Sequence, residues 1–312
     1  MDSFLIAVRV VVPMAILMAV GALMRLIRVT DRPTMKKIDT MIFKIFMPLL
    51  VFYNIYRTDF SRLEGAGYII YGTAGLVILF LVALFVVPKV IRRPDSAASM
   101  GQALLRGNYV LFGAAVAESI YGAGNIGEVM LLSAVAVPCF NAMSAVILEV
   151  GRSGKTNLSK LLIAIIKNPM VSGAVLALAI NFAGVKIPVL LEDVVADLSG
   201  LTTPMSFLSL GVSLDLKSMA GNRKILLGGV FTRLIVIPVI FMAGAVALGF
   251  RGVPMCALLI LFGAPTAVSS YPMAVAMEAD SELAGQMVIS TTLCSLATIF
   301  IWVMALSGAG LL

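Results

Sequence analysis

"LFGAPTAVSSY", residues 261–271, lies inside a long apolar run near the C-terminus, and "LFGAAVAESIY", residues 111–121, lies inside another near the middle. Seven of the eleven positions agree at an offset of 150 residues. Each phrase places glycine inside a helix-length run, and glycine weakens a helix by roughly 1 kcal/mol; Pro265 adds roughly 3 kcal/mol at the later site. Two interruptions of this kind are the feature on which the fold turns.

The surrounding composition places them in a membrane. The chain of 312 residues is 61% hydrophobic and 12% charged, against about 25% charged in an ordinary soluble domain. Its apolar runs reach the length needed to cross a hydrocarbon core of about 30 Å. The net charge of +7 does not indicate a nucleic-acid surface, because the cations fall between apolar spans. There is no histidine, which excludes serine–histidine hydrolysis and histidine-ligated zinc or haem. Cys139, Cys256 and Cys294 fall singly within apolar runs and read as small buried hydrophobes. No phosphate-binding loop is present, so direct drive by ATP is not expected. No cofactor is implied.

Ten candidate spans lie near 4–26, 39–57, 67–91, 102–121, 127–149, 169–185, 193–214, 225–249, 254–277 and 283–308. The first is too long for a cleaved signal peptide and contains Arg9. Cations concentrate in the odd-numbered connections: Arg25, Arg28, Arg32, Lys36 and Lys37 in the first, Lys89, Arg92 and Arg93 in the third, Arg152, Lys155, Lys160 and Lys167 in the fifth, and Lys217, Arg223 and Lys224 in the seventh. The even-numbered ones hold only Arg57, Arg62, Lys186 and Arg251. The positive-inside rule therefore puts odd connections in the cytoplasm and both termini outside it. Residues 153–168 read as an amphipathic interfacial helix between residues 1–152 and 169–312.

Five spans per half, an odd number, invert the second half relative to the first. A second parallel supports duplication, since Pro48 precedes Asp59 and Pro204 precedes Asp215 by eleven residues. The expected fold is all-α, with ten transmembrane helices in two inverted five-helix repeats and broken, crossing helices 4 and 9, a plan of secondary transporters. Breaks are expected at Gly113-Ala114-Ala115 and Gly263-Ala264-Pro265. Unsatisfied backbone in lipid costs several kcal/mol per group, so such breaks must meet inside the protein or beside water. Half-helices starting near Ala115 and Pro265 would aim two electropositive N-termini at one centre, which favours an anion.

The sequence "NYVLFGAAVAESIYG", with Asn108, Gly113-Ala114-Ala115 and Tyr121-Gly122, resembles the auxin efflux carrier family, as do "FMPLLVF" in span 2 and the stretch 247–278. The resemblance implies a scaffold of spans 1, 2, 6 and 7 and a transport domain of spans 3–5 and 8–10. It implies a small carboxylate substrate, such as malate, malonate or an auxin-like acid, and a homodimer formed through the scaffold. The family proline of span 4 is Ala115 here, which leaves that break to Gly113.

Candidate substrate ligands are Asn108, before the first break, and Thr266 and Ser269, after the second; hydroxyls in a kinked helix otherwise satisfy backbone. Asn54 and Asn141 are site candidates or interhelical contacts. Glu118, a carboxyl within an apolar span, is the candidate for ion coupling, the alternative being a pair with Arg106 or Lys44. Arg9, Lys44 and Arg233 read as snorkelling or acid-paired residues. The expected function is secondary transport of a small organic anion. A proton or sodium antiporter, a non-transporting receptor and an intramembrane enzyme are the competing classes. The last is disfavoured by the absence of histidine and of paired aspartates in the spans.

Overall fold

The computed structural model describes residues 2–57, 67–121, 127–153, 169–213, 219 and 221–312, and these contain no β-strand. In chain order the helices are α1 (Asp2–Leu26), α2 (Arg32–Met41), α3 (Met47–Tyr56), α4 (Gly67–Phe85), α5 (Val87–Val90), α6 (Pro94–Leu105), α7 (Tyr109–Tyr121), α8 (Gly127–Ser153), α9 (Pro169–Phe182), α10 (Val189–Gly200), α11 (Thr202–Ser213), α12 (Arg223–Phe231), α13 (Ile237–Ala247), α14 (Gly252–Gly263), α15 (Ser270–Ala276) and α16 (Ser281–Gly308). Asp59, Asp215, Gly122 and the expected interfacial helix beyond Ser153 lie outside the described residues.

Among the described residues, five stretches are long and apolar enough to cross a membrane: Arg32–Tyr56, Gly67–Val90, Glu128–Arg152, Arg223–Ala247 and Ser281–Gly308. Shorter apolar helices add to them. Ile70, Phe85, Leu190, Leu227 and Ile301 are among many large apolar side chains left exposed, which matches an outer surface solvated by lipid. The protein is a multi-pass, all-helical membrane protein.

The helix starts follow local chemistry. Asp31 caps α2 by accepting the Thr34 N–H at 2.9 Å, with Pro33 in the first turn. The Thr34 hydrogen bonds hold the Asp31 carboxyl below its usual range. Asp280 caps α16 in the same way through the Leu283 N–H.

Two membrane-length helices widen before a proline. Residues Ile42–Phe46 and Thr232–Val236 form π-turns, ahead of Pro48 and Pro238. In each, the residue just before the proline bonds five residues back: Met47 N–H to the Ile42 carbonyl, and Ile237 N–H to that of Thr232. Proline has no N–H to continue the ladder. Pro238 thus offers nothing to the Leu234 carbonyl, and the Trp302 indole N–H supplies that bond at 3.2 Å.

α1 crosses α11 in close contact. A Cβ on Gly21 would collide with the Leu208 carbonyl, and one on Gly211 with the Met18 carbonyl. Backbones this close require glycine on both helices. α3 packs against α9 and α10, α4 against α6 and α8, and α12 against α16.

Two membrane segments are interrupted, and here the sequence reading needs correction. The earlier interruption is not at Gly113-Ala114-Ala115 but at residues 106–108, between α6 and α7. Gly113 lies inside α7, where its bare backbone admits α14: an added Cβ would sit 2.7 Å from Ile260 Cγ2. A single glycine costs too little to break a helix that packing favours. The later interruption does begin at Ala264-Pro265, as expected, but helix resumes only at Ser270. α6 and α14 are each twelve residues long and start 158 residues apart. "LFGAA" lies past its interruption and "LFGAP" runs into the start of its own, so the match at offset 150 pairs non-equivalent positions.

Candidate functional site

The two interruptions meet. Gly107 and Thr266 face each other in an antiparallel bridge. The Asn108 N–H donates to the Pro265 carbonyl at 2.8 Å, and the Ala267 N–H donates to the Arg106 carbonyl at 3.0 Å. Each interrupted segment thus satisfies backbone groups of the other, the condition for irregular backbone at membrane depth.

Helix C-termini leave carbonyls without donors, and two such ends, of α6 and α14, converge here. Arg233, from the second π-turn, is 0% exposed and reaches both. Its Nε donates to the Ala264 carbonyl at 3.0 Å, Nη1 to that of Leu104 at 2.8 Å and Nη2 to that of Leu261 at 3.4 Å. Thr266 Oγ1 donates to the Ala103 carbonyl at 3.0 Å, and the Arg106 N–H takes the Gln102 carbonyl. Gly107 is part of this device, because a Cβ there would occupy the place of Arg233 Nη2. Arg233 neither snorkels nor pairs with an acid. It is held by the electronegative ends of two helices.

A cavity of about 90 Å³ lies beside the crossing. Its polar lining comes from Asn54 of α3, Arg106 and Asn108 of the first interruption, Asn141 of α8, Thr202 and Thr203 of α11, and Ser269 before α15; Met47, Val51 and Phe140 add apolar wall. Among the described residues, no acid lines it. Arg106 is 5% exposed, and its side chain's contact is Met273 Sδ at 3.1 Å. It makes no ion pair among the described residues. A thioether is a weak acceptor, and the guanidinium has five donors. The Asn108 amide nitrogen, the Asn141 amide oxygen and Thr202 Oγ1 are buried without hydrogen-bond partners. The start of α7 also borders the cavity through Tyr109 and Val110, and first-turn N–H groups have no partner within their helix. This arrangement can hold a small anion: one buried cation, amide and hydroxyl groups and a helix N-terminus on a common space.

Of the residues singled out from sequence, the fold brings Asn54, Asn108, Asn141 and Ser269 to the cavity. Gly113, Ala114 and Ala115 are in the body of α7. Gly263 ends α14, and the carbonyls of Ala264 and Pro265 are bonded within the crossing. The Thr266 N–H donates to Thr291 Oγ1 and its hydroxyl to Ala103, so it braces the crossing. Glu118 is exposed on α7, off the cavity, and pairs with neither Arg106 nor Lys44. The sequence reading missed Arg106 as a lining group and Arg233 as the cap of the crossing. Both carried a signal: Arg106 stands two residues before Asn108, and Arg233 lies eight residues into its apolar run, about 12 Å deep.

A multi-pass helical protein whose interrupted helices enclose a polar cavity has the build of a membrane transporter. Residues 153–303 match the family described as Membrane transport protein, which is of the auxin efflux carrier type. Over those residues, just under half of its length, the chain is similar to that family of transporters. Comparison with curated proteins found no match.

Proposed function

We propose that the protein is a secondary transporter of small organic anions, short carboxylates such as malonate or malate, which bind in the cavity beside the crossing. The observation that carries this reading is Arg106: a buried guanidinium lining a cavity with no acid among the described residues. An unpaired buried charge costs several kcal/mol, and a carboxylate placed there would offset that cost. Asn108 would donate its free amide hydrogens, and Asn54, Asn141, Thr202 and Ser269 would read the rest of the molecule.

The helices arrange as ten membrane segments, with α2–α3, α6–α7, α10–α11 and α14–α15 each counted as one. The antiparallel bridge, the equal lengths of α6 and α14, and the pairing of α1 with α11 and of α3 with α9 support two inverted five-segment repeats. In this reading segments 1, 2, 6 and 7 form a scaffold, and the crossing moves with segments 3–5 and 8–10 to give alternating access. The scaffold is also the face on which a homodimer would form.

Uptake of labelled mono- and dicarboxylates into proteoliposomes, with and without a pH gradient, tests the reading. Exchange of malonate or malate that is lost in Arg106→Gln is expected. Folded protein that moves no carboxylate of the panel would overturn it.

A further inference from the structure

Asp39 is 0% exposed, on α2, and neither of its carboxylate oxygens has a hydrogen-bond partner. Span 2 as read from sequence began at residue 39, which put this acid at its edge. The helix begins at Arg32, so Asp39 lies seven residues, about 10 Å, inside. α2 packs here against α11 and α15. Ser209 and Tyr271 are its polar neighbours on those helices. Ser209 Oγ and Ser270 Oγ are also buried without partners.

The position is a seam between two spaces. On one side Met47, which lines the central cavity, is eight residues along the same membrane segment, about 12 Å away. On the other side a vestibule of about 500 Å³ is lined by Arg32, Lys36, Ser213, Tyr271, Glu278 and Glu282. Tyr271 thus borders the vestibule and neighbours Asp39. The titratable groups around Asp39 are Arg32, Lys36 and Lys37 on its own helix, all exposed, Tyr271 on α15 and the exposed Lys44 of the adjoining π-turn; α11 has none.

An ionised carboxylate enclosed with no cation and only the Ser209 hydroxyl beside it carries a desolvation cost of several kcal/mol. The closed seam therefore needs a cation on Asp39. The oxygens beside it are a few hydroxyls, too few to replace the hydration shell of a metal ion, whereas a proton needs one oxygen.

We propose that Asp39 is a proton-binding site at this seam. Its carboxyl holds a proton while α15 is packed on α2 and α11. When the seam opens, the O–H bond breaks, the electron pair stays on the carboxylate, and the proton passes to water in the vestibule. Rising pH then favours the open seam, because only the closed form requires the proton. As a control of access, the site rests on the transporter reading above.

The test is the rate at which a charged maleimide labels Leu210→Cys in purified protein whose Cys139, Cys256 and Cys294 are replaced by alanine, divided at each pH by the rate of the same reagent with free cysteine, because the thiolate is the reacting form. Leu210 is buried beside Tyr271 and becomes reachable only if the seam opens. One-proton linkage changes the open-to-closed ratio by at most about tenfold per pH unit. A rise of about tenfold between pH 5.5 and 8 is expected with Asp39, a flat and slow profile with Asp39→Asn, and a restored pH dependence with Asp39→Glu. An unaltered profile in Asp39→Asn overturns the proposal, as does a flat profile with Asp39 present or one that follows sodium at constant pH. No carboxylate is used, so failure of malonate transport and failure of this site are read separately.

Discussion

Arg233 shows how one residue fixes a membrane crossing. A charge buried without a partner would destabilise the fold by several kcal/mol. Here three backbone carbonyls from two helix ends surround it, and each end carries roughly half a negative charge. The same contacts answer a second need, since each buried carbonyl left unbonded costs about 1–3 kcal/mol. Replacing Arg233 with methionine removes both benefits together. Arg233→Met is expected to lower stability by more than about 3 kcal/mol, seen as a marked fall in the thermal unfolding midpoint in detergent. Gly107→Ala should reproduce part of that fall by displacing the guanidinium. A midpoint unchanged in both variants would show that the crossing is held by something else. Arg106 stands in contrast, because its side chain meets only the Met273 sulfur and it remains available to a ligand.

The interrupted segments show what sequence can and cannot convey about an element. The later interruption was legible because proline at 265 removes a donor and clashes with the preceding turn. The earlier one contains no proline. Its "RGN" at 106–108 is held extended by bonds to residues 265 and 267, and no local pattern encodes a partner about 160 residues away. Gly113 was read as a breaker when it is a contact surface for Ile260. Asn54, Asn108 and Asn141, singled out because amides are costly in apolar spans, line the cavity. Arg106 and Asp39 were not singled out as site residues, since each stood at the margin of a span whose start was drawn eight or seven residues late. The corrected geometry bears on the position where the resembled family has proline. Ala115 is the seventh residue of a continuous helix, so Ala115→Pro should cost about 3 kcal/mol and reduce both the yield and the unfolding midpoint of the protein. A variant as stable as the parent would return the break to Gly113.

At the scale of the molecule, the described ends of the first, third and seventh connections gather on one side. Ser96, just after the third connection, bonds Asp280 at 2.6 Å, and Asn222, at the end of the seventh, bonds Gln286 at 3.0 Å. The vestibule with Arg32 and Lys36 opens on that same side. This supports placing that face in the cytoplasm, with the C-terminus opposite. A reporter active only in the cytoplasm should give no signal when fused after Leu312, and a strong signal would invert or discard the ten-segment topology. Function then depends on a small anion reaching the crossing from alternate sides, and its binding there is the central claim. The most direct measurement is equilibrium binding of malonate to purified protein, by calorimetry, in the parent, Arg106→Gln and Asn108→Ala. A hydrogen bond to a charged group contributes about 1.5–3 kcal/mol, so affinity should fall about tenfold to a hundredfold in Arg106→Gln and about tenfold in Asn108→Ala, while the ligand-free unfolding midpoint is not lowered in Arg106→Gln, which removes an unpaired buried charge. If both variants bind malonate as tightly as the parent, the anion site is elsewhere and the account of this cavity is wrong.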